Sequence, residues 1–121
     1  MNTGDSSSSG MPVYDPKMDG LIVGEKFSKK LGDTLNIKFY ELELKPGDTA
    51  MIHSHPDHAV YVLQGGKLAV SFNGTDHVVM DLKAGMGFIS GPVTDAAKNV
   101  GKTNIKLLLV DIYRPRGKKI N

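Results

Sequence analysis

The chain has 121 residues, enough for one compact domain with a core of its own. It contains no cysteine, which excludes disulfides, thiolate-bound zinc, iron–sulfur clusters and thiol catalysis. A formal charge of +2 and an aromatic content of 7% argue against a nucleic-acid partner, which would need a broad basic face with aromatics.

Residues 1–12, opening MNTGDSSSSG, read as a flexible Ser/Gly leader with neither the basic start nor the apolar centre of a signal peptide. No apolar run approaches the ~20 residues of a bilayer span. A cytoplasmic protein without a membrane partner is therefore expected. The folded domain is expected over 13–113, followed by a basic tail over 114–121 that begins RPRGKK.

Within the domain, short apolar runs alternate with turn signals. GLIV (20–23) reads as an N-terminal strand. LNIKFYELEL (35–44) has a β period whose phase slips by one residue near Phe39, which predicts a β-bulge there. KPGDT (45–49) is a turn. AVYVL (59–63) and KLAVSF (67–72) flank Gln64-Gly65-Gly66 and read as a hairpin. Asn73-Gly74 is a second and stronger hairpin signal. KAG (83–85) turns again, and TDAAKNVG (94–101) has room for one helical turn. NIKLLLVDIY (104–113) reads as a central strand buried on both faces. Many short strands with frequent turns indicate an all-β sandwich or barrel.

Chemistry concentrates in MIHSHPDH (51–58). In a strand, His53 and His55 share a face about 7 Å apart, and their rings can tilt onto one ion. Pro56 turns the chain and can return His58 toward the same point. Two readings stay open from the residues alone: a metal site, or a solvated polar strand end. Asp57 reads as a turn residue and His77 as an exposed strand histidine. Met51, Tyr61, Met86 and Phe88 read as core or pocket lining.

Gly47, five residues and then His53-Ser54-His55 resembles the first half of the first cupin motif, G-x5-H-x-H. AGMGFISGPVTDAAKNVG (84–101) resembles the second, with Gly85, Pro92 and Asn99 in approximate register. The resemblance implies an antiparallel double-sheet jelly-roll β-barrel, often with Fe, Mn, Ni, Cu or Zn on three histidines and a glutamate. The sequence departs from the motifs in two places. The family's glutamate falls on His58 and its last histidine on Asp95. If these positions have exchanged roles, His53, His55, His58 and Asp95 restore three imidazoles and one carboxylate. A smaller set of His53, His55 and Asp95 suits non-haem Fe(II). If the site has decayed, a buried Asp95 needs hydrogen-bond donors or a raised pKa.

The resemblance thus implies a metal-binding cupin acting on a small organic molecule, as a dioxygenase, isomerase or lyase. The alternative is a metal-free cupin that binds a small ligand without chemistry. A metal-free sugar epimerase is a third reading, needing a His–Asp pair and a tyrosine that the sequence does not place. The resemblance also implies a homodimer, with 20–23 as a strand for exchange.

Overall fold

The computed structural model describes residues 14–114. The expected leader, and all of the expected tail except Arg114, lie outside the described residues. The chain opens with a 3-10 turn (Pro16–Met18), one turn of helix α1 (Gly20–Val23) and another 3-10 turn (Glu25–Phe27). Nine strands follow among the described residues: β1 (Ser28–Thr34), β2 (Ile37–Leu44), β3 (Thr49–His55), β4 (Asp57–Gln64), β5 (Gly66–Phe72), β6 (Val78–Leu82), β7 (Gly87–Ser90), β8 (Val93–Asn99) and β9 (Ile105–Ile112).

The strands form two antiparallel sheets, β1-β2-β9-β4-β7 and β3-β8-β5-β6. This is the expected double-sheet jelly-roll architecture. Burying one face of each sheet against the other removes apolar surface from water. Tyr40, Leu44, Val62, Ile105, Leu107 and Leu109 fill the gap from the larger sheet. Ala50, Leu68, Val70 and Leu82 meet them from the smaller one. No helix among the described residues is long and apolar enough to cross a membrane.

Several local expectations are corrected. β4 and β5 are not a hairpin: they lie in different sheets, and the chain crosses between them at Gly65. A Cβ on Gly65 would stand 2.1 Å from the carbonyl oxygen of Leu82, so close backbone approach demands the glycine. Residues 94–101 hold no helical turn, since Val93–Asn99 is strand β8. Its Thr and Ala side chains tolerate either state, and pairing with both β3 and β5 decides. Gly20–Val23 is the helical turn α1 rather than a strand, capped by the Asp19 side chain on the Leu21 N–H. Asp57 begins β4 and is not a turn residue.

The bulge near Phe39 exists, but in the partner strand. Leu31 of β1 is the extra residue opposite the Phe39–Tyr40 step, while β2 runs in unbroken register with β9. β9 is central as expected, yet only its inward face is fully buried. The Asn73-Gly74 hairpin joins β5 and β6, with both turn residues at positive φ (50° and 79°). Asn99 ties the loop ahead of β9 to the sheets. Its amide donates to the carbonyls of Leu44 (2.9 Å) and Thr103 (2.8 Å), and its oxygen accepts from the Gly101 N–H (3.0 Å).

Gly65→Ala should destabilise the fold by about 1–3 kcal/mol, the usual cost of overpacking, because the obstacle is backbone. Urea unfolding followed by circular dichroism checks this. An unchanged midpoint contradicts the crossing geometry.

Candidate metal centre

The site begins with a second bulge. β3 pairs Ala50 with Ala97 and His53 with Asp95, so Met51 and Ile52 together oppose a single residue of β8. The bulge resets the alternation of β3. Ala50 faces the interior, and so do His53 and His55 after the slip. Met51 and Ile52 turn outward.

Asp95 stands directly across from His53 in the smaller sheet, and its Oδ1 lies 2.8 Å from His53 Nε2. In the larger sheet His58 of β4 is in backbone register with Asp111 of β9. His55 lies between His53 and His58. Its ring stacks on His58 (centroids 4.8 Å apart) and meets His53 edge-on (4.7 Å). All three histidines are buried, and Asp111 is fully so.

Each imidazole has its Nδ1 turned to a protein oxygen. His53 Nδ1 lies 2.7 Å from the Met51 carbonyl at the bulge, and His58 Nδ1 lies 2.8 Å from the Pro56 carbonyl. His55 Nδ1 is 3.5 Å from Asp111 Oδ1. A carbonyl only accepts, so Nδ1 of His53 and of His58 carries a hydrogen. Nε2 is then the nitrogen left for an ion, the arrangement that metal-binding histidines commonly adopt.

Ligand atoms of His53, His55 and Asp95 all lie within 4.8 Å of one another. Donors about 2.1 Å from one ion stand up to about 4.2 Å apart, so modest side-chain rotation closes the set. The residues fit a divalent ion. His58 does not belong to this compact group: the stacking places its ring beside that of His55.

The charges follow from the pairing. Burial works against a charge on His53, but the Asp95 hydrogen bond and charge outweigh it, and its pKa is raised. His58 is the opposite case: burial first, then the neighbouring His55, hold its pKa below the usual value despite the Pro56 bond.

The four predicted ligands line one end of a cavity of about 340 Å³ whose other walls are mostly apolar, among them Leu42, Leu68, Val70, Phe72 and Met80. Phe88 lines it as expected. Met51, Tyr61 and Met86 do not line it. The bulge turns Met51 outward, Tyr61 points off the outer face of β4, and Met86 sits in the turn before β7, where its sulfur accepts from the Lys83 N–H. His77 is exposed, in the loop before β6 rather than on a strand.

Asp111, Tyr40, Asp19 and Gly20 were not anticipated. A lone acid in the apolar run IKLLLVDI was the available signal for Asp111. Gly20 packs α1 over the site: a Cβ there would lie 3.0 Å from His55 Cε1 and 3.2 Å from His53 Cδ2. Asp19 anchors that segment, accepting from the hydroxyls of Tyr14 (2.6 Å) and Tyr113 (2.5 Å) and from the Leu21 N–H (2.8 Å). Burial works to raise the Asp19 pKa, but these donors prevail and lower it.

Among the solved structures that resemble this one, three illustrate the likeness. A cupin domain from Bordetella pertussis superposes with a TM-score of 0.63 at 19% identity, covering 72% of this chain and 92% of that one. A cupin superfamily protein from Desulfitobacterium hafniense gives 0.53 at 15%, covering 72% and 76%. The fold is that of a cupin domain. A predicted oxalate decarboxylase from Thermotoga maritima has the same cupin fold at a TM-score of 0.50 and 18% identity, covering 76% of this chain and 96% of that one. No family model and no curated relative matches the sequence.

The raised pKa gives the His53–Asp95 pair a pH signature. Its stabilising contribution is complete below the unfolded histidine pKa of about 6.5 and fades as pH rises through the folded value. Asp95→Asn should therefore lower the melting temperature more at pH 6 than at pH 9, measured in chelator. An equal loss at both pH values contradicts the pairing.

Proposed function

We propose that this chain is a metal-binding cupin that acts on a small organic molecule, with one divalent transition-metal ion on His53, His55 and Asp95. Two imidazoles and one carboxylate with open positions suit Fe(II) and oxygen-dependent chemistry, so a dioxygenase is the favoured reaction class. When bound, the ion supplies a Lewis acid and a centre for oxygen activation. The observation that carries this reading is the convergence of His53, His55 and Asp95 at the polar end of an apolar cavity, with His53 Nδ1 committed to Met51 and its Nε2 beside Asp95.

The chain's own residues shape the rest. His58, with Nδ1 committed to Pro56 and its pKa lowered, presents a neutral Nε2 able to accept a proton from a bound substrate. The apolar walls favour a substrate with one polar head and an apolar body. No Lys or Arg among the described residues lines the cavity. This disfavours a small dianion such as oxalate, which would need a cation at its second carboxylate. α1 excludes water from the ring edges of His53 and His55.

A metal-free ligand-binding module is the second reading. It is favoured by the His53–Asp95 pair, which is complete as an ion pair without any metal. A thermal-shift titration with Fe(II), Mn(II), Ni(II) and Zn(II) under anaerobic conditions separates the two. At a hundredfold excess over Kd, binding adds about 2.7 kcal/mol, which raises the melting temperature by several degrees. The His53→Ala/His55→Ala double variant should lose that rise. A rise retained in the double variant contradicts the ligand assignment.

The outer face of the five-stranded sheet supports a homodimer. Phe39, Val110, Ala59 and Ile89 form one row across it, and Leu108 and Tyr61 the next, with Ile89 91% and Tyr61 48% exposed. Five strands at ~4.8 Å and eight residues at ~3.3 Å give a face of roughly 600 Å², near the scale of a stable interface. Lys29, Glu41, Glu43 and Lys106 at one end supply charges of both signs, so a second copy related by a two-fold axis can match them. Sedimentation velocity should show a dimer for the natural sequence and a monomer for Tyr61→Glu/Leu108→Glu. A monomer in both sinks this proposal.

A further inference from the structure

We infer that Asp111 is a positioning residue for His55, and that Tyr40 holds Asp111 in place. Three acceptors orient the three imidazoles. Two are backbone carbonyls, at Met51 and Pro56, which no side-chain substitution removes. The third is the Asp111 side chain, with 0% exposure at the inward-facing end of β9.

Two buried polar atoms in this region have no hydrogen-bond partner, His55 Nδ1 and Asp111 Oδ1, and they face each other at 3.5 Å. Leaving either unsatisfied is unfavourable. Each is the natural partner of the other, and a shift of about 0.6 Å makes a full hydrogen bond. A carboxylate facing Nδ1 selects the tautomer with hydrogen on Nδ1 and a bare Nε2. That tautomer is the one a metal ligand needs.

Tyr40 completes the arrangement. Its hydroxyl donates to Asp111 Oδ2 at 2.9 Å and leaves Oδ1 for His55. Burial first, and the Asp111 charge second, push the Tyr40 pKa far up, so it stays a phenol and a donor. β2 and β9 hold the Tyr40–Asp111 bond, and the bulged β3 supplies His55. Their alignment therefore depends on the packing of one sheet against the other.

The test reads the His55 tautomer and the metal affinity separately, because only the affinity arm rests on the metal reading above. Long-range proton–nitrogen spectra of 15N-histidine protein, metal-free at pH 8, should show His55 protonated on Nδ1. In Asp111→Asn the amide oxygen takes the Tyr40 hydrogen bond and the amide NH2 faces His55. The tautomer should then move to Nε2–H, and Mn(II) affinity by calorimetry should fall about 10–100-fold. Tyr40→Phe keeps the carboxylate, so it should keep the tautomer and lose less than about tenfold. Retention of the Nδ1–H form in folded Asp111→Asn overturns the proposal. So does an Nε2–H form in the natural sequence, which needs no variant. If the natural sequence binds no Mn(II), the metal reading fails while the tautomer still decides the role of Asp111.

Discussion

One extra residue in β3 decides where the histidines point. With uninterrupted alternation from Ala50, the inward positions would be Ile52 and Ser54, and His53 and His55 would face away from the cavity. The two-against-one pairing at Met51 and Ile52 keeps Ala50 in the core and turns both histidines inward. The Met51 carbonyl at the same bulge accepts from His53 Nδ1 and sets its tautomer. The bulge therefore supplies both the direction of the site and part of its electronic preparation. Bulges near functional sites commonly re-aim side chains in this way.

The second constraint is electrostatic. Burying three histidines and two aspartates in an apolar sandwich is unfavourable unless each finds a partner. The two sheets meet most of this demand: His53 faces Asp95, His58 bonds the Pro56 carbonyl, and Asp111 accepts from Tyr40. His55 bridges His53 and His58 by ring contact. A divalent ion held by His53, His55 and Asp95, as proposed, would take the place of the proton between His53 and Asp95. The N-terminal segment joins this economy through Asp19, whose charge rests on two tyrosine hydroxyls from opposite ends of the described chain.

Much of this was legible from residues. The all-β class followed from the spacing of short apolar runs, and the turns at 45–49, 73–74 and 83–85 follow their Gly, Pro and Asn content. His53, His55, His58 and Asp95 were all named, and they do converge on one cavity. What was not legible depended on pairing between distant strands. The β4–β5 crossing carries the same Gly-Gly signal as a hairpin, and only the sheet membership of each strand distinguishes them. The helical turn expected over 94–101 fails because pairing on both edges overrides weak propensity. Met51 reads as lining from its own strand, because the bulge exists only in the pairing of β3 with β8. Asp111 lies in a strand correctly expected to be central, yet its partner Tyr40 is distant in sequence. The apolar residues on both faces of β9 imply two-sided burial, but only its inward face is fully buried.

The cupin-like fold, the cavity and the convergent donors come together in the proposal that this chain holds a metal ion. The most direct test is elemental analysis by mass spectrometry of the full chain, purified anaerobically without a metal-affinity step or chelator. The account predicts close to one first-row divalent metal per chain, with iron foremost. A chain that emerges empty, and stays empty after reconstitution with Fe, Mn, Ni, Cu and Zn, would contradict it and leave the apolar cavity as a ligand-binding site alone.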